Sequence, residues 1–326
     1  MGQRHSFLVR LLPVFCPRPW GRHSLEPFFV NPVEDGPPIG EVWLSSLDCR
    51  IEGLAGGTVE RLWGRMRAAE RGAAVAGLSR FPLLVKILFT ADKLSVQVHP
   101  DDDFARRHEG EPWGKNEVWY VLEAEPGAWV RCGLIQGMAR SGLDAFLKTP
   151  AAENALQLIP VQPGDVVYIP AGTLHSLGPG LALCEIQQYS DVTYRVYDYD
   201  RLGLDGRQRP LHLEKARAAL KLETPGAGLC SPVPLEGCRD GRVLFSGSRF
   251  VVQHFSSATR LDLHSDSSHL DLIIMLAGAG ALRAAGGEME FKRGDTFLVS
   301  AEAEGIEVAP IEPSQWLRTF PVGQWQ

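Results

Sequence analysis

Four short segments of this chain carry imidazole, carboxylate and amide groups spaced as a β-strand would need to hold them on one face. In KLSVQVHPDDDF, Ser95, Gln97 and His99 alternate with Val96 and Val98, so the three polar side chains share a face at the two-residue period of a strand. GKNEVWYVL repeats the alternation with Lys115 and Glu117. GDVVYIPAGTLHSL ends on His175 after Pro-x-Gly-x-x-His, where the glycine permits a tight turn that aims the imidazole inward. LCEIQQY adds Glu185 and Gln187. Two imidazoles, a carboxylate and an amide oxygen form a mixed nitrogen and oxygen donor set that suits Zn(II), and Mn(II) or Co(II) would be tolerated. Taken singly, each group is equally well read as a hydrogen-bonded polar residue. Burying all of them without partners would cost roughly a few kcal/mol each, whereas one shared metal accounts for the whole set.

SDVTYRVYDYDR supplies Arg195, either an ordinary partner of Asp191 or Asp198 or a fixed cationic donor for an oxyanion or phosphate. Ser95, a hydroxyl donor, and Lys115, a cation, are the candidates to complete such an anion site. His108 lies in a charged stretch and His264 and His269 in the Ser- and Asp-rich LHSDSSHL, both expected to be solvated loops.

Strand-like runs separated by Gly, Pro and Asp must position these groups: LLVKILFT, EVWYVLEAE, AWVRCGL, LQLIPV, DVVYIPA, LALCEIQQY and TYRVYDY. They imply a mainly β fold with a few short helices. TVERLWGRMRAAERGA reads as one helix beginning near Thr58, SGLDAFLKTPA as a short helix among the strands, and LHLEKARAAL as a helix linking two halves. The first 50 residues are Pro-rich and expected to be irregular up to the strand-like EVWLSSL. QPGDVVYIPAGTLHSL is echoed by FKRGDTFLVSAEAEGI, so two related β-domains are expected, the second without the histidine. The expected division is an N-terminal arm packed on the first barrel (1–80), a metal-binding β-domain (81–205), a linker with a helix (206–235) and a degenerate second copy without metal ligands (236–326).

The chain has 326 residues, 44% hydrophobic and 22% charged, long enough for two or three domains and for a core that buries polar machinery. A net charge of −6 without a basic cluster excludes a nucleic-acid or anionic-membrane footprint and favours a small-molecule substrate. Six dispersed cysteines, with no Cys-x-x-Cys, point to neither a zinc ribbon nor a disulfide framework and fit a reducing cytoplasm. Arg10 splits the N-terminal apolar run, so no signal peptide is expected, and LDLIIMLAGAGAL is too short to span a bilayer.

The segments LSVQVHPDD, GKNEVWYVL, GDVVYIPAGTLHSLG and EIQQYSDVTYRVYDYDR, with PRPWG and IGEVW nearer the N-terminus, resemble type I mannose-6-phosphate isomerases of the shorter bacterial form, over most of residues 10 to 205. Gly164 to His175 also fits the second general cupin motif, while the offset of eighteen positions from His99 to Glu117 departs from the compact first motif. The resemblance implies a tandem cupin of two β-barrel or jelly-roll domains. It makes Gln97, His99, Glu117 and His175 the ligands of one zinc per chain and Arg195 the catalytic arginine. It puts Ser95 and Lys115 at the substrate phosphate and Glu185 at an acidic position considered for proton transfer. The implied reaction is zinc-dependent interconversion of mannose 6-phosphate and fructose 6-phosphate through a cis-enediol, with Glu185 or metal-held hydroxide as base. Another sugar-directed metal cupin enzyme and a non-catalytic sugar-binding cupin are the alternatives, and a monomer or a homodimer is expected.

Overall fold

The computed structural model describes residues 6–32, 35–137, 146–265, 267–285, 287–303, 305–323 and 325. The strands are β1 (Leu8–Leu11), β2 (Val14–Arg22), β3 (Ile39–Trp43), β4 (Leu83–Thr90), β5 (Val96–Val98), β6 (Glu117–Ala124), β7 (Trp129–Leu134), β8 (Leu156–Pro160), β9 (Val166–Ile169), β10 (His175–Leu177), β11 (Leu181–Gln188) and β12 (Tyr194–Tyr197). They continue as β13 (Gly228–Leu229), β14 (Val233–Leu235), β15 (Cys238–Ser246), β16 (Phe250–Ser257), β17 (Leu261–Leu263), β18 (Asp271–Ala277), β19 (Ala279–Ala284), β20 (Gly287–Lys292), β21 (Thr296–Val299), β22 (Ile306–Pro310) and β23 (Ser314–Pro321). Short helices α1 (Val59–Arg65), α2 (Ala68–Arg71), α3 (Asp102–Glu109), α4 (Ala151–Asn154) and α5 (Leu213–Ala219) interrupt them.

Two seven-stranded antiparallel sheets have matching orders, β13-β9-β6-β11-β4-β3-β2 and β1-β21-β18-β23-β16-β15-β14. Each faces a smaller sheet, β12-β5-β10-β7-β8 in the first half and β17-β22-β19-β20 in the second. Strand alternation builds three cores from these layers. Leu88, Trp119, Val121 and Leu183 fill the first barrel, and Ile273, Met275, Phe297 and Trp316 fill the second. Their outward neighbours, Ile87, Val118 and Ile186 on one sheet and Leu272, Ile274 and Leu317 on the other, meet in a shared core that packs the barrels back to back. This explains why β4 and β11 are buried at every residue: both faces of the sheet are covered.

The echoed turns are alike in detail. Asp165 accepts from Gln162 N at 2.9 Å and Asp295 from Lys292 N at 2.9 Å. Gly164 N donates to Val121 O at 2.9 Å and Gly294 N to Met275 O at 2.8 Å.

Several local expectations change. The Pro-rich start contains β2, which accommodates Pro17 and Pro19 because it is an edge strand with unpaired N–H positions. The N-terminal arm divides between the halves: β2 and β3 extend the first seven-stranded sheet, and β1 pairs with β21 of the second. The helix beginning near Thr58 is two helices, α1 capped by the Thr58 hydroxyl and closed at Met66, then α2, whose Glu70 carboxylate accepts from Arg67 N at 2.6 Å. Of the helix expected over SGLDAFLKTPA, residues 141–145 lie outside the described residues, and α4 begins at its last residue. Among the described residues no helix is long and apolar enough to cross a membrane.

Candidate metal centre and cleft

Val96 and Val98 pack beneath β5 with Leu174, Tyr194 and Val196, which turns Gln97 and His99 to the barrel interior. The seventeen residues between His99 and Glu117 form α3, capped by Asp101 and stopped by Gly110 in the left-handed conformation, followed by an irregular return segment. That return closes on its own start: Lys115 N donates to Pro100 O at 3.0 Å and Gly114 N to Asp102 Oδ1 at 2.8 Å. Gly114 passes so close that a Cβ there would lie 2.3 Å from Pro100 O. Glu117 is thereby brought beside His99. The turn before β10 is tied to the same place, Gly172 (φ +90°) donating its N–H to His99 O at 2.8 Å.

His99, Glu117 and His175 are fully buried, with ligand atoms all within 4.8 Å of one another. Among the described residues this is the group of side chains suited to holding a metal. His99 Nδ1 is 2.9 Å from Val192 O and His175 Nδ1 is 2.9 Å from Thr173 O. A carbonyl only accepts, so each ring is protonated at Nδ1 and presents an Nε2 lone pair inward, the orientation outer hydrogen bonds give to metal-binding imidazoles. Burial lowers both histidines, His175 to about 3 and His99 well below its ordinary value, so both stay neutral. Glu117 Oε1 has no hydrogen-bond partner, although it is 3.4 Å from His175 Nε2. A buried carboxylate oxygen without a hydrogen-bond partner, facing two imidazole lone pairs, makes a donor set that fits a divalent metal. Burial first, then Glu185, pushes the Glu117 carboxyl up to about 7, while Lys115 pulls it down.

The other expected site residues line one cleft of about 580 Å³ above this cluster. Gln97 directs Nε2 to His175 Nε2 at 3.3 Å and accepts from the Ser95 hydroxyl at Oε1, 3.3 Å away. Lys115 Nζ is 2.8 Å from Glu117 Oε2 and 3.4 Å from Glu185 Oε1. Glu185 Oε2 accepts from Trp119 Nε1 at 3.1 Å. Arg195 pairs with neither expected carboxylate: Asp191 goes to Lys86 at 3.2 Å, and Asp198 binds Arg201 and Arg209. Its guanidinium thus faces the cleft without an ion-pair partner among the described residues. Gln187 instead donates to the Gln188 and Ser190 carbonyls and leaves Oε1 unpartnered.

Sequence reasoning missed Lys86, Glu41 and Arg18. Lys86 is buried, directly opposite Glu185 across β4 and β11, with Glu185 Oε1 at 3.6 Å and Glu41 Oε2 at 3.7 Å. Arg18 clamps Glu41 at 2.9 and 3.2 Å. The available signal was a lysine within the otherwise apolar LLVKILFT.

The remaining candidates lie apart. His108 is exposed and stacks on Phe104, His264 is exposed, and His269, expected in a solvated loop, is buried against Phe320 with ring centroids 3.8 Å apart. A larger, more open hollow of about 1100 Å³ in the second half is lined by Arg283, Glu288 and Glu307, whose charges pair with one another.

Register shows what replaces the cluster in the second barrel. Glu117 pairs with Ile169 as Asp271 pairs with Val299, and Glu185 occupies on β11 the position of Arg318 on β23. His175 pairs with Gln97 where Ile306 pairs with Leu263. A buried Asp271–Arg318 bidentate pair, 2.6 and 3.1 Å, and apolar side chains therefore fill the space that holds donors in the first barrel.

Comparison with known proteins agrees with this geometry. Residues 20–116 match the family model described as phosphomannose isomerase type I, catalytic domain. The mannose-6-phosphate isomerase of Streptococcus mutans is 37% identical over 68% of this chain and 69% of its own. Bacillus subtilis mannose-6-phosphate isomerase ManA is 32% identical over 88% of this chain and 91% of its own. The crystal structure of a B. subtilis mannose 6-phosphate isomerase superposes with TM-score 0.85 at 28% identity, covering 96% of this chain and 99% of that one. With relatives above 30% identity spanning most of the chain and a solved structure matching the fold along nearly all of it, this protein belongs to the type I phosphomannose isomerase family of enzymes.

Proposed function

We propose that the protein interconverts mannose 6-phosphate and fructose 6-phosphate as a zinc-dependent aldose-ketose isomerase with one zinc per chain. The observation that carries the reading is the convergence of His99, Glu117 and His175 within 4.8 Å, with both imidazole lone pairs turned inward. The S. mutans and B. subtilis relatives bear the name of this activity. A solved mannose 6-phosphate isomerase described as zinc-bound shares the fold, with TM-score 0.74 at 16% identity. Gln97 is the proposed fourth donor. Its ligation requires the amide to turn over, which points Oε1 to the cluster, offers Nε2 to Ser95 Oγ and frees the Ser95 proton for substrate.

A bound zinc would supply a Lewis acid for the sugar oxygens. The protein must move the proton. We assign Glu185 as the base that takes hydrogen from C2 and returns it to C1, the electron pair forming the C1–C2 double bond of a cis-enediol while the hydroxyl proton of O2 passes to O1. One carboxylate serving both carbons keeps the transfer on one face. Trp119 fixes Glu185 through Oε2, leaving Oε1 between Lys86 and Lys115. Arg195, with no carboxylate partner, is the proposed donor to the developing oxyanion. Ser95 remains a proposed phosphate donor; Lys115, already facing Glu117 and Glu185, contributes charge to the same cleft. Six free cysteines support placement in a reducing cytoplasm.

The test is a coupled assay of mannose 6-phosphate conversion before chelation, after it and after zinc is restored. Activity that vanishes and returns supports the reading. One bound metal equivalent without phosphosugar turnover would assign the site to a different sugar-directed metal enzyme, and sugar binding without metal to a binding protein.

A further inference from the structure

The second barrel carries no donor cluster among its described residues, yet one of its side chains reaches the inserted segment between His99 and Glu117. Asn116, between Lys115 and Glu117, points away from the cluster. Its backbone N and Nδ2 both donate to Gln188 Oε1, at 3.1 and 2.5 Å, and its Oδ1 accepts from Ala171 N at 3.0 Å in the turn leading to His175. Gln188, fully buried, donates Nε2 to Asp102 Oδ1 at 3.0 Å. The same oxygen takes Gly114 N at 2.8 Å, so one carboxylate pins both ends of the inserted segment. Asp102 Oδ2 is bound by Arg249, which immediately precedes β16 of the second barrel. Arg249 is itself held: its carbonyl accepts from Val322 N at 2.8 Å, and its guanidinium lies 5.6 Å from the ring centroid of Trp325, which packs edge-on against buried Trp113.

We propose that Arg249, Asp102 and Gln188 form a relay through which the second barrel positions the metal-binding strand of the first; the inference rests on the metal-site reading above. The polarity of each link dictates the next. Asp102 paired with Arg249 only accepts, so Gln188 must present its NH₂ to it and its oxygen to Asn116. Asn116 must then present its NH₂ to Gln188 and its oxygen to Ala171 N. An ion pair between the barrels thereby sets the orientation of two amides, buried Gln188 and partly buried Asn116, and clamps Glu117 to the turn that carries His175. None of the three relay residues touches the donor cluster, so they are positioning residues.

The experiment measures zinc release from the loaded protein into a chromophoric chelator, at a temperature well below unfolding, for wild type, Arg249→Met, Arg249→Lys and Asp102→Asn. Val252→Ala, a truncation on β16 in the core the two barrels share, controls for general destabilisation. Arg249→Met and Asp102→Asn should release zinc at least tenfold faster, Arg249→Lys should recover most of the retention, and Val252→Ala should match wild type despite a lower Tm. Release within twofold of wild type in both Arg249→Met and Asp102→Asn, or equal acceleration by Val252→Ala, overturns the relay while leaving the metal site intact. A wild-type chain that retains no zinc overturns the metal-site reading and the relay with it.

Discussion

His99 and His175 are each committed at Nδ1 to a backbone carbonyl, which leaves both Nε2 atoms turned inward in the orientation that suits metal-binding imidazoles. Arg195 is distinguished the same way, by the partner it lacks. Arg195→Ala is expected to lower kcat roughly 10²-fold with zinc stoichiometry unchanged; loss of zinc together with full activity of the remaining loaded enzyme would refute its role. Glu41 carries a prediction about acid. Burial would raise its carboxyl, but Lys86 and then Arg18 prevail and hold it down at about 2. A folded pKa below the unfolded value means that the unfolded chain binds more protons in the window between them. The stabilisation is therefore complete above about pH 4.5 and is lost as pH falls toward 2, amounting to about 1–3 kcal/mol. In denaturant titrations the stability difference between wild type and Glu41→Gln should shrink from pH 6 to pH 3; parallel curves would exclude this role.

At the scale of elements, the inserted segment decides whether Glu117 meets His99. Its helix was legible in retrospect from Asp101 as N-cap and Gly110 as stop, but its function depends on Gly114 folding back onto residues 100–102. Gly114→Ala places a Cβ 2.3 Å from Pro100 O and 2.4 Å from Asp101 C, backbone atoms that cannot rotate away. It should destabilise the protein by about 1–3 kcal/mol and reduce zinc content in the same preparation, read by denaturation and metal analysis. Normal zinc content would show that the return path tolerates displacement. The Pro-rich β2 was read as irregular because a proline's tolerance in a strand depends on whether that strand lies at an edge, which only sheet order reveals.

At the scale of the molecule, two barrels with one topology have diverged at matched positions. The first keeps donors at Gln97, Glu117 and His175, where the second has Leu263, Asp271 and Ile306. Arg318→Ala should destabilise the protein by roughly 3–5 kcal/mol, because it strands buried Asp271. The double variant Asp271→Leu/Arg318→Met should recover most of that loss, and zinc content should stay at the wild-type level throughout. A double variant no more stable than Arg318→Ala would mean that the pair does more than fill the barrel.

The sequence by itself determined the β periodicity, the Gly-Asp repeat, the capped start of α1 and the alternation that sets Gln97 with His99 and Lys115 with Glu117 on shared strand faces, because alternation and turn chemistry are local properties of the chain. Tertiary structure alone decided that Lys86 and Glu41 join the cleft, that Asp191 leaves Arg195 for Lys86, that β1 crosses to the second sheet and that Arg249 reaches Asp102 at the start of α3. Each of these is a pairing between groups far apart in sequence. Burial then sets which charged groups must find one another, and no local pattern of residues encodes that choice.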